Sequence, residues 1–188
     1  DQLFVDAVAA QVEINELGTR LAKLSDGDAV FEGRSKPKDR QRAEDKVVKY
    51  RGVVCRLKDL AAGRVSYQRL SDLYAALETL RQASGIEIVE YEDRFRAPQP
   101  SGYRDIQLML RTSAGHLAEF RLELATLNEV AVWEHALYEV KRDLEAVAAQ
   151  QARSLSPMEL AIRSGILQQE RHYFWRALQS ARGGGTST

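Results

Sequence analysis

The stretch from Ser101 to Leu124 constrains the fold more than any other. Tyr103 to Arg111 and His116 to Leu124 each have the length and residue types of a strand, and Ser113-Ala114-Gly115 lies between them as a tight turn. On the second arm Glu119, Arg121 and Glu123 recur every second residue. In a strand that spacing puts all three on one face. An aromatic side chain, Tyr103, stands at the start of the first arm. An exposed tyrosine beside alternating acids and bases suits a nucleotide: the ring for a base, the charges for metal and phosphate.

The flanking sequence supplies mostly helices. Val5, Val8, Val12, Leu17, Leu21 and Leu24 recur at helical spacing, and Ser25-Asp26-Gly27-Asp28 ends that run. Phe31 to Pro37 reads as a loop, with Pro37 in the first turn of a helix running to about Tyr50. On that helix Lys38, Arg42 and Lys46 would share one face, either as a solvated stripe or beside a polyphosphate. Val53 to Tyr67 reads as a strand interrupted by Asp59 and Arg64, and an acid in such a run needs a metal or a cation against desolvation. Gln68 to Ala83 is an amphipathic helix, with Ser71 or Gln68 near its start. Ile86 to Tyr91 is a strand, and the prolines and glycine of Arg96 to Gly102 mark a loop. Long helices follow, from Leu127 to Arg153 and from Ser156-Pro157 to about Arg182, the second with a capping pattern of Ser156 and Glu159. The order predicts an α+β domain, a small mixed β-sheet covered by helices, over residues 1–182, with 183–188 as a flexible tail.

Lysines and arginines number 27 against 27 aspartates and glutamates, so nothing draws the whole chain to DNA. The basic residues gather locally between Arg34 and Arg56, which fits a small phosphate-rich ligand better than a long polyanion. The single cysteine, Cys55, excludes an internal disulfide and reads as a small buried hydrophobe. No signal peptide or membrane-spanning run is present in the sequence. A first residue other than Met, Asp1, points to a fragment or a processed product.

Five segments, in order, resemble the RelA/SpoT alarmone synthetases. Gly102-Tyr103-Arg104-Asp105-Ile106-Gln107 is similar to that family's G-Y-R-S-L-H, and Glu119-Phe120-Arg121-Leu122-Glu123 stands where it has E-I-Q-I-R. Trp133-Glu134-His135-Ala136-Leu137-Tyr138 resembles its later E-H…Y helix. Asp59-Leu60-Ala61-Ala62-Gly63-Arg64 resembles its D-I-I-G-x-R strand, and the basic segment before it resembles R-x-K-x-x-x-S-x-x-x-K. The resemblance runs from about Lys36 to Lys141 and implies a nucleotidyltransferase-type fold and a pyrophosphokinase: ATP gives its β,γ-pyrophosphate to a nucleotide 3′-hydroxyl, making (p)ppGpp or (p)ppApp. It implies Mg²⁺ held by Asp59 and Glu119, the latter as second ligand or as base, with Glu123 as the alternative. Lys38, Lys46 and Arg64 would grip the ATP phosphates, with Arg34 or Lys36 against the adenine. Tyr103 would stack on the acceptor base, and Gln107, Arg121, Glu123, His135 and Tyr138 would complete the acceptor side.

The chain departs from the family at Asp105, Gln107, Arg121 and Glu123, which changes the acceptor side and leaves adenine or guanine open. The resemblance further implies action in the cytoplasm, either of the producing cell or of a target cell after secretion as a toxin, and in the second case an immunity or inhibitor protein. Two other readings stand beside it: transfer to a tRNA 3′ end, and a degenerate module that only binds nucleotide or protein. The plainer roles are a packed strand aromatic for Tyr103, a core histidine for His135, and packing for His172 among Arg171, Tyr173 and Trp175.

Overall fold

The structure, a computed structural model, describes residues 2–25, 28–36, 38–49, 51 and 57–183, without the side chains of Arg42, Lys46, Lys49 and Arg182. The strand expected through Val53-Val54-Cys55, the first-turn role of Pro37 and the tail beyond residue 183 lie outside the described residues. The described elements are α1 (Gln2–Lys23), β1 (Val30–Gly33), α2 (Arg40–Lys49), β2 (Ala61–Tyr67), α3 (Leu70–Arg81), β3 (Glu87–Asp93), β4 (Ile106–Arg111), β5 (Leu117–Leu124), α4 (Ala125–Gln150) and α5 (Pro157–Gly183). They fall into two compact units: residues 1–93 with 105–124, and 94–104 with 125–188.

The first unit holds one five-stranded mixed sheet in the order β1-β2-β5-β4-β3, bearing out the expected α+β class. Only β2 and β5 run parallel; every other neighbouring pair is antiparallel. Period-two alternation explains the covering layer. Ala118, Phe120, Leu122 and Leu124 of β5, Val65 and Tyr67 of β2, and Ile106, Leu108 and Leu110 of β4 are all buried. Helices α1 and α3 contact β2 and β5 and close the core with Ile14, Leu17, Leu21, Leu73, Leu77 and Leu80.

Three local expectations need correction. The segment Phe31 to Pro37 is not all loop: Val30–Gly33 pairs with Gly63–Ser66 as an edge strand. Its Phe31 ring occupies space that only glycine leaves, since a Cβ on Gly18 would lie 2.0 Å from the ring and one on Gly63 3.0 Å from it. On α1 the packed face is Ala7, Ala10, Ile14, Leu17 and Leu21, whereas Val5, Val8, Val12 and Leu24 are exposed. The valines kept the right period, but small alanines let the helix lie closer to the sheet. Lys38 precedes α2 rather than sharing a helical face with Lys46, because the helix begins at Arg40. Helix α3 begins close to Gln68 and Ser71 as expected, with Arg69 at its cap position making no side-chain hydrogen bond.

The second unit pairs α4 with α5 across a short connection and includes the loop 94–104. The expected cap forms: Ser156 N donates to Glu159 Oε2 at 2.7 Å and Glu159 N donates to Ser156 Oγ at 3.3 Å. Arg153 also pairs with Glu159, and these partners hold its carboxyl down at about 2.

Candidate active site

In the first unit the sheet face opposite the apolar layer carries charge. Register aligns Arg64 of β2, Arg121 of β5 and Gln107 of β4 in one row across three strands. The next rows hold Ser66 beside Glu123 and Ala62 beside Glu119. Two guanidinium side chains on adjacent strands repel one another unless acids separate them, and the sequence provides those acids. Arg121 Nη2 lies 2.6 Å from Glu119 Oε1. Arg64 Nη2 lies 2.6 Å from Glu32 Oε2 on β1, and Arg64 Nη1 3.8 Å from Glu123 Oε2. The three alternating charges of β5 therefore do share a face, as their spacing predicted.

The residues expected to differ on the acceptor side, Arg121 and Glu123, touch the residues expected to serve the donor, Glu119 and Arg64. The residues expected on the two sides thus pair with one another. Glu123 is only 2 % exposed and serves as an inward anchor for Arg64. The Glu119 side chain is 21 % exposed and stays accessible. Glu32 was missed in the sequence because its segment read as a loop; the apolar–polar alternation of Phe31-Glu32 was the signal.

Asp59 stands two residues before β2, not inside a strand, and the cation that its burial requires is Lys38. Lys38 Nζ lies 2.6 Å from Asp59 Oδ2, with 14 % of the aspartate side chain exposed. The backbone reinforces the contact: Lys38 N donates to Leu60 O at 3.0 Å. Arg34 Nη1 donates to Asp59 O at 2.6 Å and to Leu60 O at 3.3 Å, so it braces the entry to β2. Lys36 is exposed in the turn before α2, and Lys46 lies on α2 with its side chain outside the description. Asp59 and Glu119 occupy the same end of the parallel pair, since Glu119 is level with Ala62.

The second unit holds the other expected residues. Tyr103 is half-buried in the loop before β4, not an exposed strand residue, and its ring meets Phe174 of α5 edge-on at 5.5 Å. Gly102 makes this turn possible with φ +85°, its N–H closing onto Gln99 O at 2.8 Å. His135 is exposed on α4 rather than a core histidine; it stacks on Tyr138 at 5.8 Å and faces Glu139 at 3.3 Å. Its neighbour Glu134, not singled out in the sequence, is the buried member of the pair. Burial, then a hydrogen bond to Glu170 of α5, push its carboxyl up to about 8, and Lys141 bonds Glu170.

Among the described residues no group of three or more acids, cysteines or histidines forms a metal cluster. Two carboxylates remain a fitting donor set for Mg²⁺, which takes hard oxygens and fills its other positions with water and phosphate.

A sequence profile described as a region found in RelA/SpoT proteins matches residues 35–143. GTP pyrophosphokinase YwaC of Bacillus subtilis is 26 % identical over 87 residues, which span 43 % of this chain and 41 % of that relative. The small alarmone synthetase 1 of Bacillus subtilis, solved with its product pppGpp, matches with a TM-score of 0.64 at 18 % identity, over 95 % of this chain and 88 % of that one. A GTP pyrophosphokinase family protein of Streptococcus pneumoniae matches at 0.65 and 20 %, over 98 % and 88 %. The type VI effector Tas1, solved with its immunity protein, matches at 0.66 and 21 %, over 95 % of both chains. These structural likenesses concern the fold, and the profile covers more than half of the sequence. The chain belongs to the RelA/SpoT family.

Proposed function

We propose that this protein transfers the β,γ-pyrophosphoryl group of ATP to the 3′-hydroxyl of a purine nucleotide. The acceptor oxygen bonds to the β-phosphorus, the bond from that phosphorus to the α,β-bridging oxygen breaks, and AMP leaves. The 3′-hydroxyl proton passes to a carboxylate, for which Glu119 is supported over Glu123 by its exposure. The observation that carries the reading is the alternation of Arg64, Arg121, Glu119 and Glu123 on one sheet face, with the Asp59–Lys38 pair at the entry to β2.

Asp59 and Glu119 would hold Mg²⁺, which when bound offsets charge on the phosphate oxygens. Lys38 and Arg64 then serve the triphosphate, with Lys46, and Arg34 or Lys36 serves the adenine. Both Lys38 and Arg64 are held by acids in this structure, so they are positioned for phosphate before it arrives. Tyr103 serves the acceptor base and His135 with Tyr138 its phosphates, while Gln107, Arg121 and Glu123 select the acceptor. The likeness to an effector solved with its immunity protein supports a toxin role and an inhibitory protein partner; action in the cytoplasm, of the producing cell or of a target cell, belongs to the same proposal.

The test is incubation with ATP and Mg²⁺ plus GDP, GTP, ADP or AMP, or with ATP alone, with products resolved by mass. An acceptor heavier by a diphosphate, with AMP formed, is the expected result. Product from ATP, ADP or AMP selects adenine, and product from GDP or GTP selects guanine. No such product with any acceptor removes the reading.

A further inference from the structure

His172 and its neighbours on α5 find no part in the transfer reaction, yet they line a cavity of about 450 Å³ within the second unit. Its wall from α5 carries Arg171, His172 and Trp175; its wall from the loop carries Pro98, Pro100 and Arg104. No carboxylate is among the described residues that line it. The lining offers a flat indole, two proline rings, two guanidinium groups and an imidazole. A volume of this size takes one small molecule rather than a folded partner.

The cations are held in place. Arg171 Nε donates to Pro100 O at 2.7 Å, which leaves its two terminal nitrogens for an anion. Arg104 Nη1 donates to Gly102 O at 2.9 Å. Guanidinium groups fixed in this way match phosphate oxygens, and an indole, 49 % of Trp175 being exposed, gives a base a face on which to stack. We infer that the cavity between the loop 98–104 and α5 is a second nucleotide site, taking a nucleoside polyphosphate with its base on Trp175 and its phosphates on Arg171 and Arg104.

The site is tied to Tyr103 through the backbone. Tyr103 stands between Gly102 and Arg104, and a Cβ on Gly102 would lie 3.3 Å from the Arg171 Cα, so the loop rests directly on α5. A ligand that bridges Arg171 and Arg104 therefore fixes the segment that presents Tyr103. The effect on acceptor use rests on the proposed transfer reaction, whereas binding does not.

The chain has two tryptophans, so Trp133→Phe leaves Trp175 as the sole indole reporter. Titration of that protein with ADP, GDP and inorganic pyrophosphate should give a saturable change in emission with the nucleotides. Pyrophosphate should compete with them. Arg171→Gln in the same background should raise the Kd at least tenfold and Arg171→Lys should restore part of it, while Arg121→Gln, on the sheet of the other unit and proposed to select the acceptor, should leave it within threefold. No saturable change with either nucleotide overturns the inference in the unaltered cavity, whatever becomes of the Arg171 variants. Equal affinity in a folded Arg171→Gln protein overturns it too. A loss in Arg121→Gln as large as in Arg171→Gln identifies the cavity with the acceptor site and overturns a second site. Nucleotide binding at Trp175 without pyrophosphoryl transfer would keep this site and remove the proposed reaction; transfer without binding there would do the reverse.

Discussion

The two units of the chain handle charge in opposite ways. On the sheet of the first unit, Arg64 pairs with Glu32 and Arg121 with Glu119, all four partly exposed, where the phosphate or metal of the proposed reaction would exchange partners with them. Between the helices of the second unit, Glu134, Lys141 and Glu170 are withdrawn from solvent and locked together. Accessible pairs contribute little to stability and are free for chemistry. Buried ones are costly to break and serve the fold. The same residue types thus form an accessible charged face in one unit and a buried cluster in the other.

That contrast is best broken by removing one carboxylate from each side. Glu119→Gln should lower kcat/KM for pyrophosphoryl transfer by about 10³-fold, the scale of losing one transition-state partner, with Tm shifted by no more than a few degrees. A fall in Tm without loss of rate would mean that Glu119 belongs to the fold. In the second unit, Lys141→Met should cost about 3 kcal/mol in denaturant unfolding, because it leaves the Glu170 carboxylate buried without its cation. A cost below about 1 kcal/mol would place that pair with the exposed ones.

The titration of Glu134 sharpens the distinction. Its folded pKa lies above the unfolded value, so the folded state binds more protons between them. Its stabilising contribution is full below about 4.5, the unfolded value, and is lost as pH rises through about 8. Unfolding midpoints should therefore fall across that window, and Glu134→Gln, which cannot ionise, should flatten the fall. A smaller effect is expected from the helix cap: Ser156→Ala should cost about 1 kcal/mol in the same unfolding measurement.

The parts of the site that were legible in the sequence are those governed by a short period. Alternation put Glu119, Arg121 and Glu123 on one face before any partner was known, and the need of Asp59 for a cation was met by Lys38. What stayed hidden depends on partners far along the chain. Glu32 becomes visible as the partner of Arg64 only when β1 is paired with β2. Glu134 gains its partner only when α5 brings Glu170 against it. The choice between valines and alanines on α1 was settled by the close approach to the sheet, which periodicity alone does not express.

In the proposed reaction the charged face entered at Asp59 drives transfer of a pyrophosphoryl group. The most direct measurement is the stoichiometry of AMP and pyrophosphorylated nucleotide formed by the native protein and by Asp59→Asn, with folding of both checked by circular dichroism. Equal amounts of the two products are expected from the native protein, with loss of both in a folded Asp59→Asn. Unchanged formation of both products by that variant would contradict this expectation.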